Sequence, residues 1–145
     1  MEEPVVDIIM ATYNGAKYVS EQIESIQRQS YKNWRLLISD DCSSDATLDI
    51  VRSYTNSDDR IKLISNEVKF GGAMPNFLNA LSKSESPLFM FCDQDDIWLE
   101  DKIKISVEYI TSLENEFGTD KPIFVSSDMK IVDDDLNILS SSFIN

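Results

Sequence analysis

Four short apolar runs, each followed by an amphipathic stretch, set the strongest limit on how this chain can fold. "VVDIIMA" (Val5 to Ala11), "WRLLIS" (Trp34 to Ser39), "IKLIS" (Ile61 to Ser65) and "LFMFC" (Leu88 to Cys92) have strand length and are bounded by turn-prone residues. Val19, Ile23 and Ile26 recur at helical spacing in "AKYVSEQIESIQRQ", as do Leu48, Val51 and Tyr54 in "DATLDIVRSY", which Ser44 or Asp45 can cap. "GGAMPNFLNALSK" predicts a short helix with Pro75 in its first turn, where a missing N–H costs nothing. "DKIKISVEYITSLENEFG" predicts the longest helix, with Ile103, Val107 and Ile110 as its apolar stripe and Gly118 as its stop. The last segment differs: "IFVSS", "MKIVD" and "NILSS" read as short strands, the last two joined by the turn "DDDLN".

Strand–helix units in succession predict an α/β fold with a mostly parallel sheet, helices on both faces and a short antiparallel strand tail. Ligands of such sheets sit outside the carboxyl ends of the strands. The loops "TYNG", "DDCSSD" and "DQDD", after the first, second and fourth strands, are therefore expected on one edge.

Composition removes several chemistries. The chain has 145 residues, enough for one domain with a real core. With 13 basic and 26 acidic residues its net charge is −13, which argues against nucleic acid as a partner, because DNA binding rests on Lys and Arg neutralising phosphates. There is no histidine, so the chain cannot itself supply a Ser-His-Asp triad or a His-ligated zinc. Cys42 and Cys92 lack metal-type spacing and are expected as small buried hydrophobes in a reducing compartment. No window approaches the roughly 20 apolar residues of a membrane span.

"DQDD" places three carboxylates in four positions. Spacing by itself carries no information here: with 16 Asp in the chain, roughly two D-x-D triplets arise by chance. Two are present, and the second, Asp133–Asp135, is expected as a solvated hairpin turn. The first stands directly after a strand on the predicted ligand edge. Its acids can complement the next helix N-terminus, or they can hold a hard cation such as Mg²⁺ or Mn²⁺ through few protein oxygens while substrate phosphates fill the other positions. Tyr13 can stack on a nucleobase or pack under a loop; Asp40 or Asp41 can accept from a base N–H or serve the turn.

"ATYNGAKYVSEQIESIQRQSYKNWRLLISDDCSSDATLDIV", "NEVKFGGAMPNF" and "FCDQDDIWLEDKI" together resemble glycosyltransferase family two, the inverting nucleotide-sugar transferases with the Rossmann-like GT-A fold, and in particular its bacterial rhamnosyltransferase-like members. The resemblance runs from about Val5 to Phe143. It implies a single nucleotide-sugar-binding domain over residues 1–145, ending before the acceptor-binding part. Thr12, Tyr13 and Asn14 look like the segment against the base, and Asp41 like the acceptor for an imide N–H of uracil or thymine. Asp93 resembles the acid near the ribose, Asp95 the direct metal ligand, and Asp96 the following acid. Asn66, Gly72 and Asn76 fall in a third nucleotide-facing segment. Pro75 stands where many relatives carry Arg, and Lys69 is the substitute cation.

The resemblance further implies a Mn²⁺ or Mg²⁺ cofactor, a UDP- or dTDP-sugar donor, and a saccharide or lipid-linked acceptor in bacterial cell-surface polysaccharide synthesis. It places the work in the cytoplasm at the inner face of the plasma membrane, with peripheral membrane association through the missing C-terminal part. The catalytic base of the family lies downstream of the metal motif and has no candidate here; Asp128 and Asp133 are read as structural. Two alternatives stay open. One is a non-catalytic nucleotide-sugar-binding module; the other is a sugar nucleotidyltransferase, disfavoured because "ATYNGAKY" lacks a Gly- and Arg-rich loop.

Overall fold

A computed structural model describes residues 3–64 and 66–144. The chain divides into two compact units, 1–104 and 105–145. The first holds four parallel strands: β1 (Val6–Thr12), β2 (Trp34–Asp40), β3 (Ile61–Ile64) and β4 (Leu88–Cys92). Helices α1 (Val19–Gln27), α2 (Thr47–Ser57) and α3 (Ala73–Leu81) connect them, and α4 (Lys102–Phe117) follows β4 and runs into the second unit. The α/β architecture expected from the alternation is observed. Ser65, the last residue of the third expected strand, lies outside the described residues.

The strand order is β3-β2-β1-β4. The chain therefore steps outward from β1 to β3 and then returns to the other side of β1. Crossovers between parallel strands are right-handed, so this reversal moves the connecting helix to the opposite face. The contacts agree. On one face Ile9 and Leu37 pack with Phe77, Ala80 and Leu81 of α3. On the other, Cys92 meets Gln22 of α1, and α1 packs against α2. The reversal makes the gap between β1 and β4 the topological switch point.

Each strand is apolar on both faces because helices lie on both, and Ile8, Ile9, Met10, Leu36 and Ile38 are fully buried. β4 departs from that pattern: among the described residues it is one of the two sheet edges, and Phe89 and Phe91 are exposed on the α3 side. Phe91 makes edge-to-face contacts with Phe77 and Phe89 there.

Helix limits follow local chemistry. α1 begins at Val19 rather than Ala16, because the amides of Gly15 and Ala16 are drawn to the Thr47 hydroxyl and the Asp45 carboxylate. α2 begins at Thr47, and Asp45 accepts its N–H without occupying the cap position itself. Gly118, at φ 87°, ends α4 in the left-handed conformation that glycine adopts freely. In the second unit, β5 (Ile131–Val132) and β6 (Ile138–Ser140) form the expected antiparallel pair. The turn between them is held by Asp133, which accepts from the amides of Asp135 and Asn137. "IFVSS" does not form the expected strand; among the described residues β5 and β6 pair only with each other, so no neighbouring edge supports it.

Asp7 is the exception inside the sheet, a fully buried carboxylate in the middle of an apolar run. Arg35 on β2, its register partner, donates two hydrogen bonds to it at 2.8 and 2.9 Å. Ser84 Oγ and the amides of Glu85 and Ser86 donate three more, fastening the loop before β4 to β1. Burial works to raise the pKa of Asp7; the Arg35 bonds, then those of Ser84 and Ser86, outweigh it and hold the carboxyl below its usual value. A folded-state pKa below the unfolded one contributes stability at neutral pH that is lost as pH falls below about 4. Asp7→Asn is expected to cost about 2–3 kcal/mol in urea unfolding at pH 7, and less as the pH approaches 3. An equal loss at both pH values would contradict this account.

Candidate nucleotide-facing site

Strand β1 is hydrogen-bonded along both edges and delivers Thr12 and Tyr13 to the carboxyl end of the sheet. Thr12 is buried, and its hydroxyl donates to Asp40 at 2.8 Å. The Asp40 carboxylate also accepts from the amide and hydroxyl of Ser43, so it serves the turn. Asn14 sits at φ 48°, a left-handed position that Asn tolerates better than most residues. Its amide donates to Ser43 Oγ and its side-chain oxygen accepts from the Ser44 amide, locking the first loop to the second. Cys42, expected as a buried hydrophobe, is exposed instead: at φ 58° the turn carries it away from the sheet. Cys92 is buried as expected, and burial pushes its thiol far up, leaving it inert.

Asp41 is almost fully buried, and its carboxylate faces the loop before α3. One oxygen accepts from the Phe70 amide and the other from the Gly71 amide at 2.9 Å. A carboxylate offers about four acceptor positions, so these bonds leave capacity for another donor. Gly71, not Gly72, has the positive φ of this loop, at 76°. Lys69 reaches back over the site: its Nζ donates to Tyr13 Oη at 2.7 Å and lies 4.0 Å from the ring centroid. Asn66 ties the loop after β3 to the end of β2. Its Nδ2 donates to Ser39 Oγ and the Asp40 carbonyl, and its oxygen accepts from Asn79. Asn76, 2% exposed on the first turns of α3, donates to the Thr12 carbonyl at 3.2 Å, and its Oδ1 is a buried acceptor with no protein partner.

Across β1 from Asp41, the end of β4 carries the acids. Asp93 and Asp96 are open to solvent on one side, yet both carboxyls are raised above the usual range. Loss of hydration is the larger cause for each; the charge of Asp95 adds for Asp93, and those of Asp93 and Asp95 add for Asp96, where Lys102 opposes. The three acids are thus close enough to repel one another. Among the described residues no three carboxylate, Cys or His side chains form a ready-made metal cage. Hard cations bound through one or two carboxylates plus substrate phosphates do not need one, and Asp95 with Asp93 could offer such a donor set.

The residues that hold this acidic loop are ones that hydrophobic periodicity misses. α1 buries Gln22 and Ser25 beside its apolar stripe, and Gln29 lies buried just beyond its end. Gln22 Nε2 donates to Cys92 Sγ, Ser25 Oγ accepts from the Trp98 amide, and Gln29 takes both the Leu99 carbonyl and the Ile103 amide. Gln94, inside the acidic motif, clasps the backbone of Tyr13. Three polar residues at three- and four-residue spacing inside an amphipathic helix pattern were the available signal. Asp128 accepts from Ser142 Oγ and the Phe143, Ile144 and Met129 amides, which lower its pKa to about 2 and make it a poor base, as its structural reading requires.

Comparison with known proteins places this arrangement. Among curated proteins, the chain is 39% identical over 107 residues to the Escherichia coli UDP-Glc:alpha-D-GlcNAc-diphosphoundecaprenol beta-1,3-glucosyltransferase WfgD, covering 74% of this chain and 41% of that protein. It is 39% identical over 103 residues to the Shigella flexneri dTDP-rhamnosyl transferase RfbG, covering 68% of this chain and 36% of that protein. The chain thus spans about two fifths of the length of the curated relatives it matches. S. aureus TarS 1-349, solved in complex with UDP, superposes with a TM-score of 0.69 at 26% identity, over 88% of this chain and 41% of that one. A mannosyltransferase from Pyrobaculum calidifontis, solved with GDP-Man and Mn2+, shares the fold at a TM-score of 0.68 and 24% identity, over 75% of this chain and 33% of that one. The sequence profile of Glycosyl transferase family 2 matches residues 7–128, and with the GT-A sheet and the acidic loop at its switch point, the chain belongs to that family.

Proposed function

We propose that this chain is the donor-binding part of a metal-dependent inverting glycosyltransferase that takes a UDP- or dTDP-sugar and glycosylates a saccharide or lipid-linked acceptor. The observation that carries the reading is the crowding of Asp93, Asp95 and Asp96 in one loop fastened by Gln94 to the Tyr13 backbone, at the sheet edge where α/β folds bind ligands. The printed names of WfgD and RfbG, a UDP-glucose enzyme and a dTDP-rhamnose enzyme, support a uracil or thymine nucleotide. The UDP held by TarS supports the same class. Among the described residues no helix is long and apolar enough to cross a membrane. Work on a lipid-linked acceptor at the inner face of the plasma membrane fits the undecaprenol-linked substrate that WfgD's name records.

The residues divide the task. Tyr13 offers a ring face to the base, and Asp41 keeps acceptor positions for an imide N–H beyond those given to Phe70 and Gly71. Asp95 and Asp93 would hold Mn²⁺ or Mg²⁺, which when bound would supply Lewis-acid stabilisation of the departing diphosphate. Lys69, held at the Tyr13 ring and hydroxyl, brings to the diphosphate the positive charge that Pro75 cannot. The acceptor hydroxyl attacks opposite the leaving group, giving inversion. No described residue is assigned as the base that takes its proton.

Titration calorimetry with UDP and Mn²⁺ tests the reading. Asp95→Ala is expected to weaken UDP by about tenfold or more in the presence of Mn²⁺, while Asp135→Ala in the hairpin turn changes nothing. Unchanged UDP affinity in Asp95→Ala would contradict it. Lys69→Met is expected to weaken UDP by about tenfold but uridine by less than about twofold, because a charge-assisted bond to phosphate is lost only where phosphate is present. Equal losses for both ligands would assign Lys69 to the base instead.

A further inference from the structure

We infer that Gln94 is a positioning residue whose amide sets the distance between the base-facing loop and the acidic loop. Its Oε1 accepts from the Tyr13 amide at 3.0 Å, and its Nε2 donates to the Tyr13 carbonyl at 3.1 Å. Only one orientation of the amide satisfies both bonds, and the pair reproduces with a side chain the reciprocal exchange that joins opposed residues of an antiparallel ladder. Backbone pairing between β1 and β4 ends at Met10 and Cys92. Beyond that register Gln94 continues the connection between the two segments, one carrying Tyr13 and the other Asp93 and Asp95.

The neighbouring glycine is shaped to this clasp. A Cβ on Gly15 would lie 2.2 Å from Gln94 Oε1 and 2.5 Å from its Cδ, closer than any side chain tolerates. Gly15 does not adopt a left-handed backbone, so what it provides is room for the amide. Its own N–H donates to Thr47 Oγ1, so the loop cannot simply move off. The acidic loop is tied to α1 at both ends, through Cys92 and through Trp98, and Gln94 ties its middle to β1. Removing the clasp leaves both anchors in place and frees the spacing between Tyr13 and the acids.

The residue type is specific. Glu at this position keeps an acceptor for the Tyr13 amide but turns an oxygen towards the Tyr13 carbonyl and adds a fourth carboxylate to three that already repel. Asn is one methylene short. The consequence for nucleotide binding rests on the function proposed above. A nucleoside diphosphate touches the Tyr13 loop with its base and the acids' cation with its phosphates, so its affinity depends on that spacing being preset.

Two readouts on the full 145-residue chain test this. In amide hydrogen exchange, Gln94→Ala and Gly15→Ala are each expected to speed exchange at Tyr13 by about tenfold or more while leaving Ile9 and Leu36 as in the wild type. In calorimetry with UDP and Mn²⁺, each variant is expected to lose about tenfold in affinity, and the double variant no more than either, because both remove the same clasp. Mn²⁺ binding without nucleotide stays unchanged. Wild-type Tyr13 exchange in Gln94→Ala, wild-type UDP affinity in that variant, or fully additive losses in the double variant would each overturn the inference. If the wild-type chain takes up no UDP at all, the functional reading fails and the role in binding fails with it, whereas UDP uptake that ignores Gln94→Ala defeats the inference alone.

Discussion

Everything at the candidate site depends on β1 being paired along both edges. A strand with parallel partners on each side has no freedom of register, and its apolar residues are sealed between two helical layers. Thr12 and Tyr13 therefore emerge at a fixed height, between β2, which brings Asp40 and Asp41, and β4, which brings Asp93 and Asp95. The reversal of strand order at β1 separates the helices to opposite faces and opens the switch point that the loops fill. The buried Asp7–Arg35 pair holds the opposite end of the same strands together.

Around that fixed strand the loops are held by polar side chains rather than by more apolar packing. Asp45, Thr47 and Ser43 fasten the first loop to the second. Gln22, Ser25 and Gln29 hold the acidic segment to α1 and satisfy backbone groups that burial would otherwise leave unpaired. The acids remain the least compensated part: Asp93 and Asp96 both sit above the usual carboxylate range because water is partly excluded and their neighbours repel them. A group of charges held rigidly against its own repulsion is suited to a divalent ion arriving with a diphosphate.

Much of this was legible in the sequence, and for identifiable reasons. Apolar runs of strand length and period-3.6 stripes exposed all four strands and the helices between them, since burial on a regular element leaves a regular mark. The acidic loop could be placed because topology, not spacing, distinguishes Asp93–Asp95 from the hairpin turn at Asp133. Other features left only an ambiguous mark. The burial of Gln22, Ser25 and Gln29 depends on what the fold brings against α1, and a polar residue beside an apolar stripe looks like a solvated one. Cys42 was read as buried because Cys usually is, but a left-handed turn exposes it. "IFVSS" has strand composition without a strand to pair with. Nor does the sequence show that Asn66 ties the end of β2 and that Asp41 holds the loop before α3.

The central claim is that the acids at the end of β4 and the loop at the end of β1 together hold one nucleoside diphosphate through a divalent ion. A crystal of the chain grown with UDP and Mn²⁺, measured at the manganese absorption edge, tests it most directly. The account predicts one anomalous peak in direct contact with an Asp95 carboxylate oxygen and with the diphosphate, and the uracil ring against Tyr13. UDP seated elsewhere on the chain, or seated there with no manganese between the diphosphate and Asp95, would contradict it.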